Sequence, residues 1–158
     1  MTNPATTDTT ADEPLAFRIE TASAESLPYV LSSWGRAIET LLEATPQPGF
    51  LKAFAPMQAR LIKRSRVLTA ITGDGKIGGF IVYEPAQVTI HETVVLHWIA
   101  TRKEHRAHKE QRGKGIGKAL AEAAMVRHSG TIITSWTPSL RYLGLARARY
   151  TPFWMVLA

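Results

Sequence analysis

Three consecutive stretches constrain this chain more than anything else in it. They are the nearly continuous apolar run Val94 to Thr101, the segment Gln111-Arg112-Gly113-Lys114-Gly115-Ile116-Gly117-Lys118, and the apolar-faced stretch Ala119 to Met125. An unbroken apolar run of this length reads as a strand buried on both faces, which needs covering layers above and below its sheet. A glycine-rich turn that leads from such a strand into a helix gathers unpaired backbone N–H groups at one point, and the helix dipole adds positive potential there. Side chains at Gly113, Gly115 or Gly117 would block the close approach of an anion. Arg102, Lys103, Arg106, Lys109, Arg112, Lys114 and Lys118 surround the turn, against only Glu104 and Glu110.

Two phosphate-binding spacings fail against this segment. A P-loop requires four residues between its first glycine and a Gly-Lys pair, followed by Ser or Thr, whereas three residues separate Gly113 from Gly117 and Ala119 follows Lys118. The dinucleotide fingerprint G-x-G-x-x-G is not matched by Gly113-x-Gly115-x-Gly117, nor does the segment follow the first strand of a βαβ unit.

The remaining periodicities predict a short edge strand over 16–20 and a helix from Ser23 to Leu42. After the breaker Thr45 to Gly49 comes a second helix ending near Lys63-Arg64-Ser65-Arg66. Val67 to Thr72 and Ile77 to Tyr83 form a hairpin about Gly73-Asp74-Gly75-Lys76, with Gly78 and Gly79 marking a bulge or a close backbone approach. Glu84 to Gln87 reads as a loop. The helix after the glycine turn runs to about His128, and Thr131 to Trp136 is a strand. Pro138 starts a helix with Leu140, Leu143, Leu145 and Ala148 on its apolar side, and Phe153 to Leu157 is a last strand. The order β-α-α-β-β-β-α-β-α-β implies an α/β (α+β) fold with a mixed central sheet flanked by helices on both faces.

A chain of 158 residues suits one domain, here 15–158. Residues 1–14, rich in Thr, Asp and Pro, read as a disordered tail without the features of a signal peptide. Its three acids set aside, the formal charge rises from +6 to +9, which favours an anionic partner. There is no cysteine, hence no disulfide, thiolate metal site or cysteine nucleophile. No apolar run approaches the ~18 residues of a membrane span, and a cytoplasmic protein without membrane or metal is expected.

The pattern Arg112-x-x-Gly115-x-Gly117, between a central strand and a helix and within this element order, resembles the coenzyme A pyrophosphate loop of the GNAT superfamily of N-acetyltransferases. The likeness in element order covers 16–158. It implies an acetyl-CoA-dependent acyltransferase whose pyrophosphate is held by Gln111, Arg112, Gly113, Lys114, Gly115, Ile116, Gly117 and Lys118. It further implies that backbone at Ile99, Ala100 and Thr101 engages the thioester carbonyl and pantetheine chain. The amine would approach between the first two helices and the end of the central strand. One departure is Lys-Glu-His-Arg at 103–106, nearly repeated as Lys-Glu-Gln-Arg at 109–112, which looks like a six-residue insertion at Ala107 to Arg112.

Acetyl transfer needs a neutral amine, a polarised carbonyl and a proton for the leaving thiolate. His97 is the candidate base, since imidazole titrates near neutral pH and the residue lies four positions before Thr101; a satisfied core histidine is the competing role. Glu92 could act through water instead. Tyr142 is preferred as acid over Tyr150, although the asparagine that usually frames this tyrosine in the family is missing. Tyr83 and Trp98 read as core, Trp98 with a second option of lining an acceptor channel. The acceptor is an amine of unread identity, on a small molecule or a protein, and a homodimer is compatible with the resemblance. The alternative is a non-catalytic basic module on the same fold that binds nucleic acid or a protein partner.

Overall fold

The computed structural model describes residues 16–41, 49–88, 91–102, 115–124, 126, 131–134, 140, 143 and 149–150. Its elements are β1 (Phe17–Thr21), α1 (Leu27–Leu41), α2 (Phe50–Arg64), β2 (Arg66–Thr72), β3 (Ile77–Val88), β4 (His91–Thr101), α3 (Ile116–Ala123), β5 (Thr131–Ile133) and β6 (Arg149–Tyr150). The strands form one sheet in the order β1-β2-β3-β4-β5-β6. β1 to β4 pair antiparallel, while β4–β5 and β5–β6 are parallel, so the sheet is mixed as expected.

Alternation along the strands divides the core into two layers. Val67, Phe80, Val82 and Trp98 point to the side of α1 and α2, where they bury Val30, Trp34, Phe54 and Leu61. Ala70, Ile81, Tyr83, Leu96 and Ile99 point to the other side, against Ile116, Leu120, Ala121 and Ala124 at α3. Trp34 stacks on Trp98 at 6.5 Å and meets Phe54 edge-on at 5.8 Å, which places Trp98 in the core. Gln58, buried on α2, ties the two helices together by donating from Nε2 to the Leu31 carbonyl at 3.1 Å. The polar end of this amide is thereby satisfied inside an apolar layer.

Several boundaries differ from expectation. α1 begins at Leu27 because Ser23 first makes a separate turn, accepting from the Ser26 N–H through both its carbonyl and its hydroxyl. α3 ends at Ala123, short of His128. Glu84 to Gln87 is strand, continuing β3 to Val88 opposite β4, which starts at His91 rather than Val94. Pro85 disguised this segment. The ladder turns its nitrogen away from β4, toward the side where β2 has already begun its run at Arg66, so no ladder bond is forfeited. Tyr150, expected at the end of a helix, lies in β6, two residues after the expected helix end at Ala148. The expected strand 153–157 falls outside the described residues.

The two glycines of β3 have separate jobs. Ala70 pairs with Gly79 and Ile71 with Ile77, so Gly78 is the extra residue of a bulge. At Gly79 α3 packs directly on the sheet: a Cβ there would lie 2.7 Å from both the Ala100 carbonyl oxygen and Ile116 Cγ2. In the hairpin, Gly75 has φ 77° and Thr72 donates its hydroxyl to Asp74 and to the Lys76 carbonyl. Those Thr72 and Lys76 contacts hold the Asp74 carboxyl well below the usual carboxylate range. Gly79→Ala is expected to lower unfolding stability by about 1–3 kcal/mol, because one of the colliding atoms is backbone and cannot yield cheaply. Gly73→Ala, whose Cβ would find only the Ala16 carbonyl at 3.9 Å, serves as the control and should change the denaturant midpoint little.

Candidate active site

β4 carries the geometry of the site. Its ladder with β3 shifts between Val82 and Tyr83, which pair with Trp98 and Leu96, so His97 is the extra residue of a bulge. Beyond it, the Arg102 N–H donates to the Gly78 carbonyl at 2.8 Å, and the alternation of an antiparallel ladder then turns the N–H and C=O groups of Ile99 and Thr101 away from β3. That is the β5 side. Yet the β4–β5 register runs only from Val94↔Thr131 to Leu96↔Ile133, followed by one bond from the Thr134 N–H to the Leu96 carbonyl at 3.1 Å. Among the described residues, the two parallel strands pair no further.

The start of α3 stands beside this end of β4. Gly115 is its N-cap, with extended backbone and no side-chain cap, and the first helical bond is from the Ala119 N–H to the Gly115 carbonyl. The N–H groups of Ile116, Gly117 and Lys118 therefore have no acceptor within the helix, which is the arrangement an anion uses. The ideal Cβ of a residue at 117 would stand 3.4 Å from Thr101 Oγ1, so glycine allows the helix start to close on the strand end. Lys118 pairs loosely with Glu122 at 3.7 Å on the surface. Arg102 reaches α1, donating from Nε to the Tyr29 hydroxyl at 2.8 Å with its guanidinium 4.9 Å from that ring's centroid.

The structure thus brings together Ile99, Ala100, Thr101, Gly115, Ile116, Gly117 and Lys118. Gln111, Arg112, Gly113, Lys114, Tyr142 and the repeated Lys-Glu-x-Arg segment lie outside the described residues. Glu92 is in β4 opposite Gln87.

His97 has no exposed surface, and both ring nitrogens are engaged. Nε2 is 3.2 Å from Glu84 Oε1 and Nδ1 is 3.0 Å from Thr134 Oγ1. Glu84 in turn pairs through Oε2 with Arg64 Nε at 3.1 Å. With a neutral ring and an ionised Glu84, Nε2–H donates to the carboxylate and Nδ1 faces Thr134 Oγ1, whose hydroxyl also lies 3.4 Å from the Leu96 carbonyl. The reverse tautomer would set a bare Nε2 lone pair against a carboxylate oxygen. Glu84, Thr134 and Arg64 were not singled out from sequence. Glu84 was hidden by the loop reading at Pro85, while Thr134 and Arg64 look like ordinary strand and helix-end residues.

Burial pushes the His97 pKa down to about 4 from 6.5, with Arg64 adding to the effect and the Glu84 carboxylate opposing it. The unfolded imidazole takes a proton below about 6.5, whereas the folded one stays neutral until about 4. Stability from this group is therefore complete above pH 6.5 and drains away as pH falls through that window, by roughly 3 kcal/mol. Denaturant unfolding at pH 7 and pH 4.5 should show this loss in the wild type and a smaller one in His97→Gln; equal losses would refute it.

By sequence, no family model and no curated protein matches the chain. Solved structures do match. A Pyrococcus furiosus protein assigned as an acetyl transferase superposes with a TM-score of 0.59 over 82% of this chain and 90% of its own, at 13% identity. A ribosomal-protein-alanine N-acetyltransferase from Brucella melitensis biovar Abortus 2308 gives 0.52 over 84% and 92%, at 16% identity. The third is a fungal multi-domain GH3 beta-N-acetylglucosaminidase with a GCN5-related glucosamine N-acetyltransferase region. It gives 0.53 at 19% identity, and this chain covers 14% of its length. The mixed sheet with helices on both faces is thus the fold of these acetyltransferase structures.

Proposed function

We propose that the protein is an N-acetyltransferase that takes an acetyl group from acetyl-CoA to a primary amine by direct attack in a ternary complex. The observation that carries this is the juxtaposition of two sets of backbone donors. The N–H groups of Ile116, Gly117 and Lys118 have no acceptor within the helix, and this helix start stands against the end of β4, where the ladder with β3 turns the Ile99 main chain to the opposite side. The first set suits a pyrophosphate and the second an extended amide chain ending in a thioester.

Acetyl-CoA would be held by Gly115 to Lys118 and by the backbone of Ile99, Ala100 and Thr101, and it supplies the activated acyl group. The loop residues Gln111 to Lys114 complete the cradle in this proposal. The chain has no cysteine to carry an acyl group, which favours direct attack over a cysteine acyl-enzyme. On the acceptor side, α1 and α2 cover the face of β4 from which an amine would come, and Tyr29 stands there with its hydroxyl on Arg102. Tyr142 is proposed as the acid that returns a proton to the thiolate.

Calorimetric titration with acetyl-CoA tests the proposal. Saturable binding is expected for the wild type, and Gly117→Glu, which sets a carboxylate at the helix start, should weaken it by at least roughly tenfold, equivalent to ~1.4 kcal/mol. A folded wild type that does not bind acetyl-CoA would sink the idea. An acetyl-CoA consumption screen over amine classes, repeated with Tyr142→Phe, then identifies the acceptor and tests the acid.

A further inference from the structure

Between 44 and 73 the chain has no acidic residue, while Lys52, Arg60, Lys63, Arg64 and Arg66 fall within the same stretch. Phe54, Gln58 and Leu61 turn the inner side of α2 to the core. Lys52 and Lys63 stand on the opposite side, about three turns and ~16 Å apart along one line, with Arg60 beside it. All three are exposed, as are Ala55, Pro56 and Ala59 between them and Arg66 just beyond the helix. Elsewhere on the surface Arg18, Lys76 and Lys118 each have an acid beside them, Glu20 at 3.0 Å, Asp74 at 2.9 Å and Glu122 at 3.7 Å. Arg64 pairs with Glu84 at 3.1 Å, whereas Lys52, Arg60, Lys63 and Arg66 make no ion pair among the described residues.

Helix stability does not account for this face. A cation in the last turn suits the helix dipole, and Lys63 is there; Lys52 is near the start, where an acid would suit it, and the first turn has no acid. Arg60 has Lys63 and Arg64 three and four residues on, a spacing at which like charges repel.

The side chains between the cations narrow the partner. Ala55, Pro56 and Ala59 supply none of the large apolar and aromatic anchors at the centre of a protein interface. They supply no long apolar chain for a lipid surface either, and no ring on which an unpaired base could stack. A straight line of cations with small residues between them suits a regular row of phosphates. Along one strand of a double helix these follow every ~3.4 Å of axis, so about five lie beside ~16 Å of α2.

We propose that the outer face of α2, together with Arg66, docks on the phosphate backbone of double-helical nucleic acid without reading its sequence. Lys52, Arg60, Lys63 and Arg66 make the contacts. α2 packs on the face of the sheet opposite α3, so this surface is separate from the helix start assigned to acetyl-CoA and does not depend on that assignment.

Fluorescence anisotropy of labelled DNA and RNA duplexes of about 20 base pairs, with full-length protein, tests the proposal. Binding of either duplex supports it, and the pair shows which backbone geometry fits. With four phosphate contacts, affinity for the DNA duplex should fall about 100-fold between about 50 and about 200 mM salt. Lys52→Gln/Lys63→Gln should halve the slope of log affinity against log salt and weaken binding at the lower salt by at least about tenfold. Its urea midpoint should stay level or rise, since Lys52 leaves a place that the dipole disfavours. Saturating acetyl-CoA should leave duplex binding unchanged. A folded wild type that binds neither duplex at about 50 mM salt overturns the proposal. An unchanged salt slope in Lys52→Gln/Lys63→Gln does so too, as does displacement of the duplex by acetyl-CoA, which would place the binding at the start of α3. Phosphatidylserine vesicles and polyglutamate are the control probes. Tighter binding of either than of both duplexes would assign the face to a lipid surface or an acidic protein and overturn the nucleic-acid assignment.

Discussion

The bond from the Thr134 N–H to the Leu96 carbonyl is the point on which the site's geometry turns, because it ties β5 to β4 one residue before the bulge at His97. Through Leu96 the strand is shared between β3 and β5. The bulge at His97 occurs at the same place. An extra residue bends the strand and increases its local twist. Beyond it the ladder with β3 turns the Ile99 and Thr101 main chain to the opposite side, next to the start of α3.

A bulge in a buried strand needs something to hold its extra residue, and the Arg64, Glu84, His97, Thr134 series does so with polar contacts. Burying a carboxylate is costly, and the attraction to a partner offsets that cost only when the geometry is good and the remaining lone pairs are met. Here both Glu84 oxygens have partners within 3.2 Å, and the outer pair lies at the surface, where water shares the load. Such a network contributes less to net stability than to uniqueness, since it is satisfied in one register and broken in any other. A one-residue slip of β4 against β3 would carry His97 away from Glu84 and reverse the faces of Trp98 and Ile99 together. The apolar layers and the polar series therefore specify the same register.

The sheet, the first two helices and the strand–turn–helix unit were legible in the sequence because long apolar periodicities dominate them. Trp34, Leu61 and Leu120 fall on helical faces, and Phe80 to Val82 form a β-branched and aromatic run. Gly78 and Gly79 were legible too, as bulge and close approach, since a strand accepts glycine at a cost that something must justify. What escaped was context that no local pattern encodes. Pro85 breaks a strand shared on both sides but is harmless where one neighbour has ended, and that depends on where β2 begins. With the strand read as a loop, Glu84 was not connected to β4, and the partner of His97 disappeared from view. Tyr150 was assigned to a helix from apolar spacing over a stretch that in fact gives way to β6, a two-residue strand too short to carry a period of its own. The surroundings of His97 come from α2, β3 and β5, so its burial could not be deduced from β4.

Two glycines separated by 38 positions then turn out to serve one distance. Gly79 lets α3 lie against the β3–β4 ladder, with Ile116 Cγ2 where a side chain would be, and Gly117 lets the first turn of the same helix meet Thr101. Were only one of them small, the helix would tilt about the other contact, and its unpaired N–H groups would swing relative to the β4 edge. The start of α3 and the end of β4 are thus held in register by close packing of main chain, which has no rotamers with which to adapt. Side-chain contacts at this junction can vary, whereas the spacing between the two donor sets follows from backbone geometry. For that reason the glycine turn conveyed a meaning in the sequence that the buried polar side chains did not. A backbone requirement leaves its mark at fixed positions along the chain, while a hydroxyl, an imidazole and a carboxylate can be gathered from any strands that the fold brings together.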